Sequence, residues 1–346
     1  MKSIGIWGFE MNLSYEKMVQ LATAGLKAAG VDDKAAFETA QFLALAELDG
    51  LASHGLARVS QYAGHAKNGR VELAPKIKVR PFKTSAALVD ACDGLAFPAL
   101  RFATDLSVNL ASKNGVGLVA VTNSHHFGVA GHFAEAAARA GYISLLFGNT
   151  PAAMPMVGGS KAMFGTNPLA AAFPITDTDP LVIDMSLSAV ARGKLLVAAK
   201  KGESIPEGWA LTADGKPTTD PQAGLKGLMV PLGGDKGALL ALIVELLVVG
   251  LSGSRFSYEA DSFFDAKGNR PRIGQLLLTI DPGLAGGQVF ANKMRGFLKT
   301  LAADLGTRLP GQRRFKQRAA GFKEGVNVSD VVVEEIQTGI RQSWNG

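Results

Sequence analysis

A serine, a histidine and an arginine stand close together in LASHGLARVSQY, residues 51 to 62, as Ser53, His54 and Arg58. His54 and Arg58 are four residues apart, so a helix beginning at or just before His54 puts both on one face. There a guanidinium holds a carboxylate through paired hydrogen bonds while the imidazole sits beside the neighbouring carbon. That geometry suits protonation of a carbonyl or imine next to an acid group. A capped helix start with a solvated arginine meets the same spacing, so spacing alone leaves both readings open.

Two further stretches hold groups that suit an anion. In TNSHHFGVAGHF, residues 122 to 133, a strand ends and a helix begins, and Gly128 and Gly131 allow close approach of backbone or ligand. The free N–H groups and positive dipole end of such a helix suit a phosphate. His125, His126 and His132 lack the Cys or carboxylate neighbours usual at zinc sites, so no metal is expected, and histidines filling a polar turn are the plainer alternative. In PLGGDKGALLALIVE, residues 231 to 245, a glycine-rich turn puts Lys236 at the mouth of an apolar helix. The P-loop spacing is absent, and anion binding and a bare turn both fit. GVGLVA, residues 115 to 120, matches G-x-G-x-x-A but leads into a strand, which is the wrong context for a dinucleotide fingerprint. No G-x-S-x-G occurs, which weakens a hydrolase reading.

The elements that must position these groups follow from periodicity and punctuation. Apolar residues at three-to-four spacing over 14–30 and 32–49 predict a helical hairpin, with Ser14 and Asp32 as N-caps and Gly30 and Gly50 as stops. A third helix is expected at about 56–67, then the extended KIKV flanked by Pro75 and Pro81, then a helix at about 98–113. VGLVAVTN, YISLLFGN, PLAAAFPI and PLVIDMS read as strands, with VAGHFAEAAARAG as a helix between the first two. GESIPEGWALTADGKPTTDPQ has turn residues without apolar periodicity and reads as a long ordered excursion or lid. GALLALIVELLVVGL, residues 237 to 251, reads as a buried helix; GQLLLTID as a strand, a helix near 288–305 and a charged tail follow. The division expected is a helical region over 1–114 packing with the tail 300–346, and an α/β region over 115–299 with its lid-like excursion near 200–228.

With 346 residues, 47% hydrophobic and 19% charged, the chain can bury more than one core. The longest apolar run is shorter than a membrane span and Glu245 interrupts it, so no membrane association is expected. The N-terminus shows no secretory leader, and one cysteine, Cys92, forms no internal disulfide; both point to the cytoplasm. A net charge of +6 raises the question of nucleic acid, but the basic residues are dispersed among acids and aromatics make up 7%, so an anionic small molecule or cofactor is the better partner.

SHGLARVSQY, NSHHFG, MFGTNPLA, IDMSLSAVARGK, IPEGW, PTTDP and PLGGDKGALLALIVELL, in this order and spacing, resemble the type-2 malate/L-lactate dehydrogenase family over about residues 10 to 320. The resemblance implies an NAD(P)H-dependent oxidoreductase without a Rossmann fold: an α/β (α+β) protein with a mixed, largely antiparallel sheet flanked by helices, usually a homodimer. It implies NADPH as cofactor, with NADH as the alternative. It makes His54 the proton donor with Ser53 orienting its ring, and Arg58 and Thr166 the substrate ligands. It assigns to the cofactor His126, Phe127, Gly128, Val129 and Ala130, then Asp184, Met185 and Ser186, then Lys236 and Gly237, and finally Arg313 and Arg314.

Within that family, LSGSRFSYEADSFFDAKGNRPRIGQLLLTIDP followed by RLPGQRR resembles the cyclic-imine reductases, which implies reduction of Δ1-piperideine-2-carboxylate and Δ1-pyrroline-2-carboxylate. One departure bears on this: Lys194 in ARGK stands where those reductases carry an acidic residue completing a Ser–His–acid relay. The lysine resembles the branch acting on 2-oxo and 2-hydroxy acids such as malate and L-lactate. A pocket-facing Lys194 favours an oxo acid, by stabilising charge on oxygen; a solvent-facing one, the expected case, leaves the imine reading standing. A non-catalytic binding protein on the same fold is the third reading, and the intact set Ser53, His54, Arg58 and Thr166 argues against it.

Overall fold

The computed structural model describes residues 10–344, which form two compact units: the chain up to Ala74 together with Gly311 onward, and Pro75–Pro310. The first nine residues, where the reading of the leader begins, lie outside the described residues.

In the first unit β1 (Glu10–Leu13) leads into α1 (Tyr15–Lys27), α2 (Asp33–Leu48) and α3 (Ala57–Lys67). The caps are those the sequence predicts. Ser14 Oγ accepts the Lys17 N–H at 3.4 Å, and Asp32 Oδ2 accepts those of Lys34 and Ala35 at 3.1 and 3.2 Å. Gly30 and Gly50 end the two helices with φ of +90° and +72°, a conformation that favours glycine.

The second unit runs through β2 (Lys78–Lys83), β3 (Ala86–Asp90), α4 (Ala96–Asn114), β4 (Val116–Ser124), α5 (Ala130–Arg139), β5 (Ile143–Gly148), β6 (Met154–Pro155), β7 (Ala162–Phe164), β8 (Leu169–Phe173) and β9 (Leu181–Met185). It continues through α6 (Arg192–Lys201), β10 (Ala210–Leu211), β11 (Pro217–Thr218), α7 (Pro221–Lys226), β12 (Leu228–Met229), α8 (Asp235–Ser252), β13 (Ile273–Ile280) and α9 (Gly287–Ala302). Seven strands make one sheet in the order β2-β3-β4-β13-β5-β8-β9. Only β3 and β4 are parallel; every other neighbouring pair is antiparallel. The sheet is therefore mixed and largely antiparallel, as the family resemblance implies.

Alternation along the central strands gives the sheet two apolar faces. On one, α4 packs on β4 and β13, and Ser107 Oγ lies 2.8 Å from Thr279 Oγ1. On the other, Ala120 and Leu276 share a core with Ala241, Val244 and Val248 of α8. Residues 75–114, grouped above with the helical region, lie in the sheet unit because β2, β3 and α4 are bonded to or packed on that sheet.

The structure adds detail to two sequence expectations and corrects a third. The excursion near 200–228 has strands and a helix of its own, with β11, β10 and β12 forming a small antiparallel sheet. The charged tail is ordered: α10 (Gln312–Glu324), β14 (Val326–Ser329) and α11 (Asp330–Trp344) return the chain to the first unit, where β14 pairs with β1. The apolar helix α8 is only half buried. Ala238, Ala241, Val244 and Val248 face the core, but Ile243, Leu246 and Leu251 are each more than half exposed. Its run of apolar residues covers both faces, so periodicity could not separate the core side from the outward one. Among the described residues no helix is long and apolar enough to cross a membrane.

Candidate active site

In the first unit, a short 3-10 turn, Ala52–His54, follows α2 and carries the serine and histidine. Ser53 Oγ lies 3.0 Å from His54 Nδ1, a bond that orients the imidazole from its Nδ1 side. Arg58, in the first turn of α3, donates from Nε to the Ser53 carbonyl at 2.7 Å and from Nη1 to Gln61 Oε1 at 2.6 Å. The guanidinium is thereby tied to the backbone of the residue that orients the histidine. Burial holds the Arg58 pKa below its usual value, and the fully buried Tyr62 phenol beside it is pushed up, also by burial. A cation stripped of part of its hydration gains more from an arriving carboxylate.

The turn has its own anchor. Glu47, buried near the end of α2, accepts the Leu56 N–H at 2.7 Å. Gly55 leaves the room this needs, because a Cβ there would overlap the Glu47 carboxyl. Burial raises the Glu47 pKa, partly offset by that hydrogen bond.

In the second unit the backbone draws the other predicted residues together. Thr166 donates its N–H to Thr150 Oγ1 at 2.9 Å and its carbonyl accepts the Leu187 N–H at 2.8 Å; the Leu187 carbonyl in turn accepts the Leu232 N–H at 2.8 Å. This chain of bonds brings Thr166, the end of β9 with Asp184, Met185 and Ser186, and the turn leading into the start of α8, where Lys236 and Gly237 stand, into one neighbourhood. Asp184 Oδ2 accepts the Gly131 N–H at 2.9 Å, which joins the His126–Ala130 segment to the same set. That bond qualifies one sequence expectation: the N-terminus of α5 has a carboxylate on one of its amides, which already satisfies much of its positive end. The N-terminus of α8 has no side-chain cap, although Asp235 puts a carboxylate in its first turn. Its N-cap, Gly234, makes no side-chain hydrogen bond, Gly233 and Gly234 are both left-handed with open space beside them, and Lys236 is exposed.

Two basic predictions resolve by orientation. Arg313 and Arg314 both lie on α10, but only Arg313 is exposed. Arg314 Nε lies 3.6 Å from Oδ2 of the fully buried Asp49 carboxylate, which Arg318 also grips at 2.7 and 2.8 Å. Lys194, on α6, is exposed, with its amine 5.3 Å from the centre of the Trp209 ring.

The model of the malate/L-lactate dehydrogenase family matches residues 13–337. The chain is 45% identical to the (2R)-3-sulfolactate dehydrogenase (NADP(+)) of Chromohalobacter salexigens, over 94% of this chain and 97% of that one. It is 36% identical to a Δ1-pyrroline-2-carboxylate/Δ1-piperideine-2-carboxylate reductase of Pseudomonas putida, over 94% and 95%. Among solved structures, the Δ1-piperideine-2-carboxylate reductase of Pseudomonas syringae pvar. tomato superposes with a TM-score of 0.90 at 34% identity, covering 95% of this chain and 99% of that one.

The chain belongs to the malate/L-lactate dehydrogenase family. It is an oxidoreductase, as its relatives' names say of them. For a malate/L-lactate dehydrogenase family member, sequence reasoning singled out the candidate site residues and missed the buried acids bonded beside them. Glu47 read as one more residue of an amphipathic helix, and Glu245 as an interruption of an apolar one. The available signal was an acid placed among apolar residues, since a buried carboxylate needs donors.

Glu47 gives a pH test. A carboxyl whose folded pKa is raised above its unfolded value contributes stability below the unfolded pKa and loses it as pH rises through the folded one. Glu47→Gln keeps an acceptor for Leu56 N–H and removes the titration. The variant's unfolding free energy relative to wild type, measured by denaturant titration from pH 4 upward, is therefore expected to improve as pH rises through the raised Glu47 pKa. Parallel curves would show that Glu47 does not titrate in this way.

Proposed function

We propose that the chain is an NADP-dependent dehydrogenase of a small 2-hydroxy acid, reducing the corresponding 2-oxo acid in the reverse direction, with a sulfolactate-type substrate bearing a second anionic group at C3. The observation that carries the reaction class is the bond from Arg58 to the Ser53 carbonyl, which couples a carboxylate clamp to a histidine proton donor. The finer choice of substrate rests on the 45% identity to the sulfolactate dehydrogenase.

In this reading Arg58 and Thr166 grip the substrate carboxylate, and His54, oriented by Ser53, gives its proton to the carbonyl oxygen during reduction and takes it back during oxidation. The nicotinamide supplies or accepts the hydride. Its phosphates suit the open N-terminus of α8, where Gly233 and Gly234 leave space and Lys236 adds charge. The extra phosphate of NADP suits the exposed fork of Arg313. Cyclic-imine reduction is the second reading. It is favoured by the exposed Lys194, which adds no charge to a pocket, and by the likeness to the piperideine-carboxylate reductase.

The outward apolar face of α8 supports a homodimer, since Ile243, Leu246 and Leu251 are more than half exposed in the single chain. Sedimentation should return a dimer that Leu246→Arg dissociates; a monomeric wild type would contradict this.

Activity assays separate the two substrates. 3-Sulfopyruvate with NADPH should be turned over with a higher kcat/KM than Δ1-piperideine-2-carboxylate, and the reverse ranking would favour the imine reading. On the better substrate, His54→Ala should lower kcat by about 10²- to 10⁴-fold with cofactor affinity unchanged, whereas Arg58→Lys should act mainly on KM. A His54→Ala enzyme with near-normal kcat would remove His54 as the acid.

The two arginines of α10 should also part. Arg313→Ala should narrow the preference for NADPH over NADH without loss of stability. Arg314→Ala should lower the melting temperature, because breaking a buried ion pair costs up to about 3–5 kcal/mol. A cofactor preference unmoved by Arg313→Ala would contradict the assignment.

A further inference from the structure

Glu245 lies on the inner face of α8 and is 2% exposed, among the apolar residues that pack this helix on the sheet. A carboxylate in such a place persists only if donors surround it. Its Oε1 accepts the Ser257 N–H at 2.6 Å and Asn149 Nδ2 at 3.4 Å; its Oε2 accepts Ser257 Oγ at 2.7 Å and Asn167 Nδ2 at 2.8 Å. One acid thus ties together the segment after β5, the segment before β8 and the segment after α8.

Two of those donors are neighbours of residues already at the site. Asn167 directly follows Thr166, is fully buried, and holds a left-handed φ of +33°, and its Nδ2 also donates to the Ala241 carbonyl at 3.1 Å. Asn149 directly precedes Thr150, whose Oγ1 accepts the Thr166 N–H; its side chain also donates to the Arg255 carbonyl at 2.9 Å and accepts the Gly274 N–H at 2.8 Å. Thr166 is therefore held through its chain neighbour Asn167 and through Thr150, the chain neighbour of Asn149, and both supports lead to the same carboxylate. Ser257 takes the other positions on that carboxylate, on a segment with no bond to Thr166.

We propose that Glu245 and Asn167 form a positioning pair that fixes the Thr166 hydroxyl for the substrate carboxylate, and so sets the affinity for the acid independently of the cofactor. The pair touches no reactant; it acts through Thr166. The inference rests on the reading of Thr166 as a substrate ligand, and the test is arranged to tell the two apart.

Four single variants of the full-length protein are compared by steady-state kinetics with the acid substrate, NADPH fluorescence titration and thermal melting. Thr166→Ala should raise KM for the acid, which tests the underlying reading. Asn167→Gly keeps the left-handed backbone without strain and removes the amide. It should raise KM for the acid about tenfold, with kcat within about threefold of wild type and the NADPH Kd unchanged. Glu245→Gln, of nearly the same shape, should shift KM in the same sense. Ser257→Ala takes a bond from the same carboxylate and should lower the melting temperature while leaving KM for the acid within about twofold. If Thr166→Ala leaves KM unchanged, the ligand reading of Thr166 fails. If Thr166→Ala raises KM but Asn167→Gly and Glu245→Gln do not, or if Ser257→Ala raises it as much as they do, the positioning pair is overturned.

Discussion

The hydrogen bond from Arg58 to the carbonyl of Ser53 is the contact on which the account of this chain depends. In the proposed reaction it joins two functions that are useless apart. A guanidinium alone holds an acid anywhere on its rim, and a histidine alone protonates whatever drifts near it. Bonded through one residue, they define where the acid group ends and where the adjacent carbon must lie, and positioning of that kind supplies much of the rate in group transfer. The contact needs a turn that brings the Ser53 carbonyl back to the first turn of α3. That turn is held by Glu47, which receives the Leu56 amide, and by Gly55, which leaves room for the carboxyl.

The second unit repeats this arrangement with different groups. There the buried Glu245 bonds Asn167, the residue next to Thr166. In each unit a buried acid fixes a backbone or amide group, Leu56 in one and Asn167 in the other, within one or two positions of the candidate site residues His54, Arg58 and Thr166. A buried carboxylate suits this role because leaving its donors unpaired costs more than most local rearrangements return. It directs a loop into one geometry.

Much of the fold was legible wherever local signals agreed. Ser14, Asp32, Gly30 and Gly50 marked the first two helices because caps and left-handed stops are written within a few residues of each helix end. The elements within the tail after Pro310 were not legible. β14 exists by pairing with β1, more than 300 residues earlier, and no local pattern reports a partner so distant. In α11, the apolar positions Val333 and Ile336 that make the buried stripe are interleaved with charged and polar residues. At the candidate site, residue type and order singled out Ser53, His54 and Arg58, but Arg313 and Arg314 read as an equal pair. Successive residues on a helix point about 100° apart, so one reaches solvent and the other Asp49. That difference belongs to the packing of α10 and is invisible in the letters RR.

The most direct measurement of the central claim is a double-mutant cycle between His54 and Arg58 on kcat/KM for the acid substrate. If the clamp and the acid work as one unit, displacing the carboxylate already deprives His54 of its target. The effects of His54→Ala and Arg58→Lys should then overlap, leaving the double variant little worse than His54→Ala alone. Effects that multiply through the cycle would show two independent contributions and contradict the coupling through Ser53.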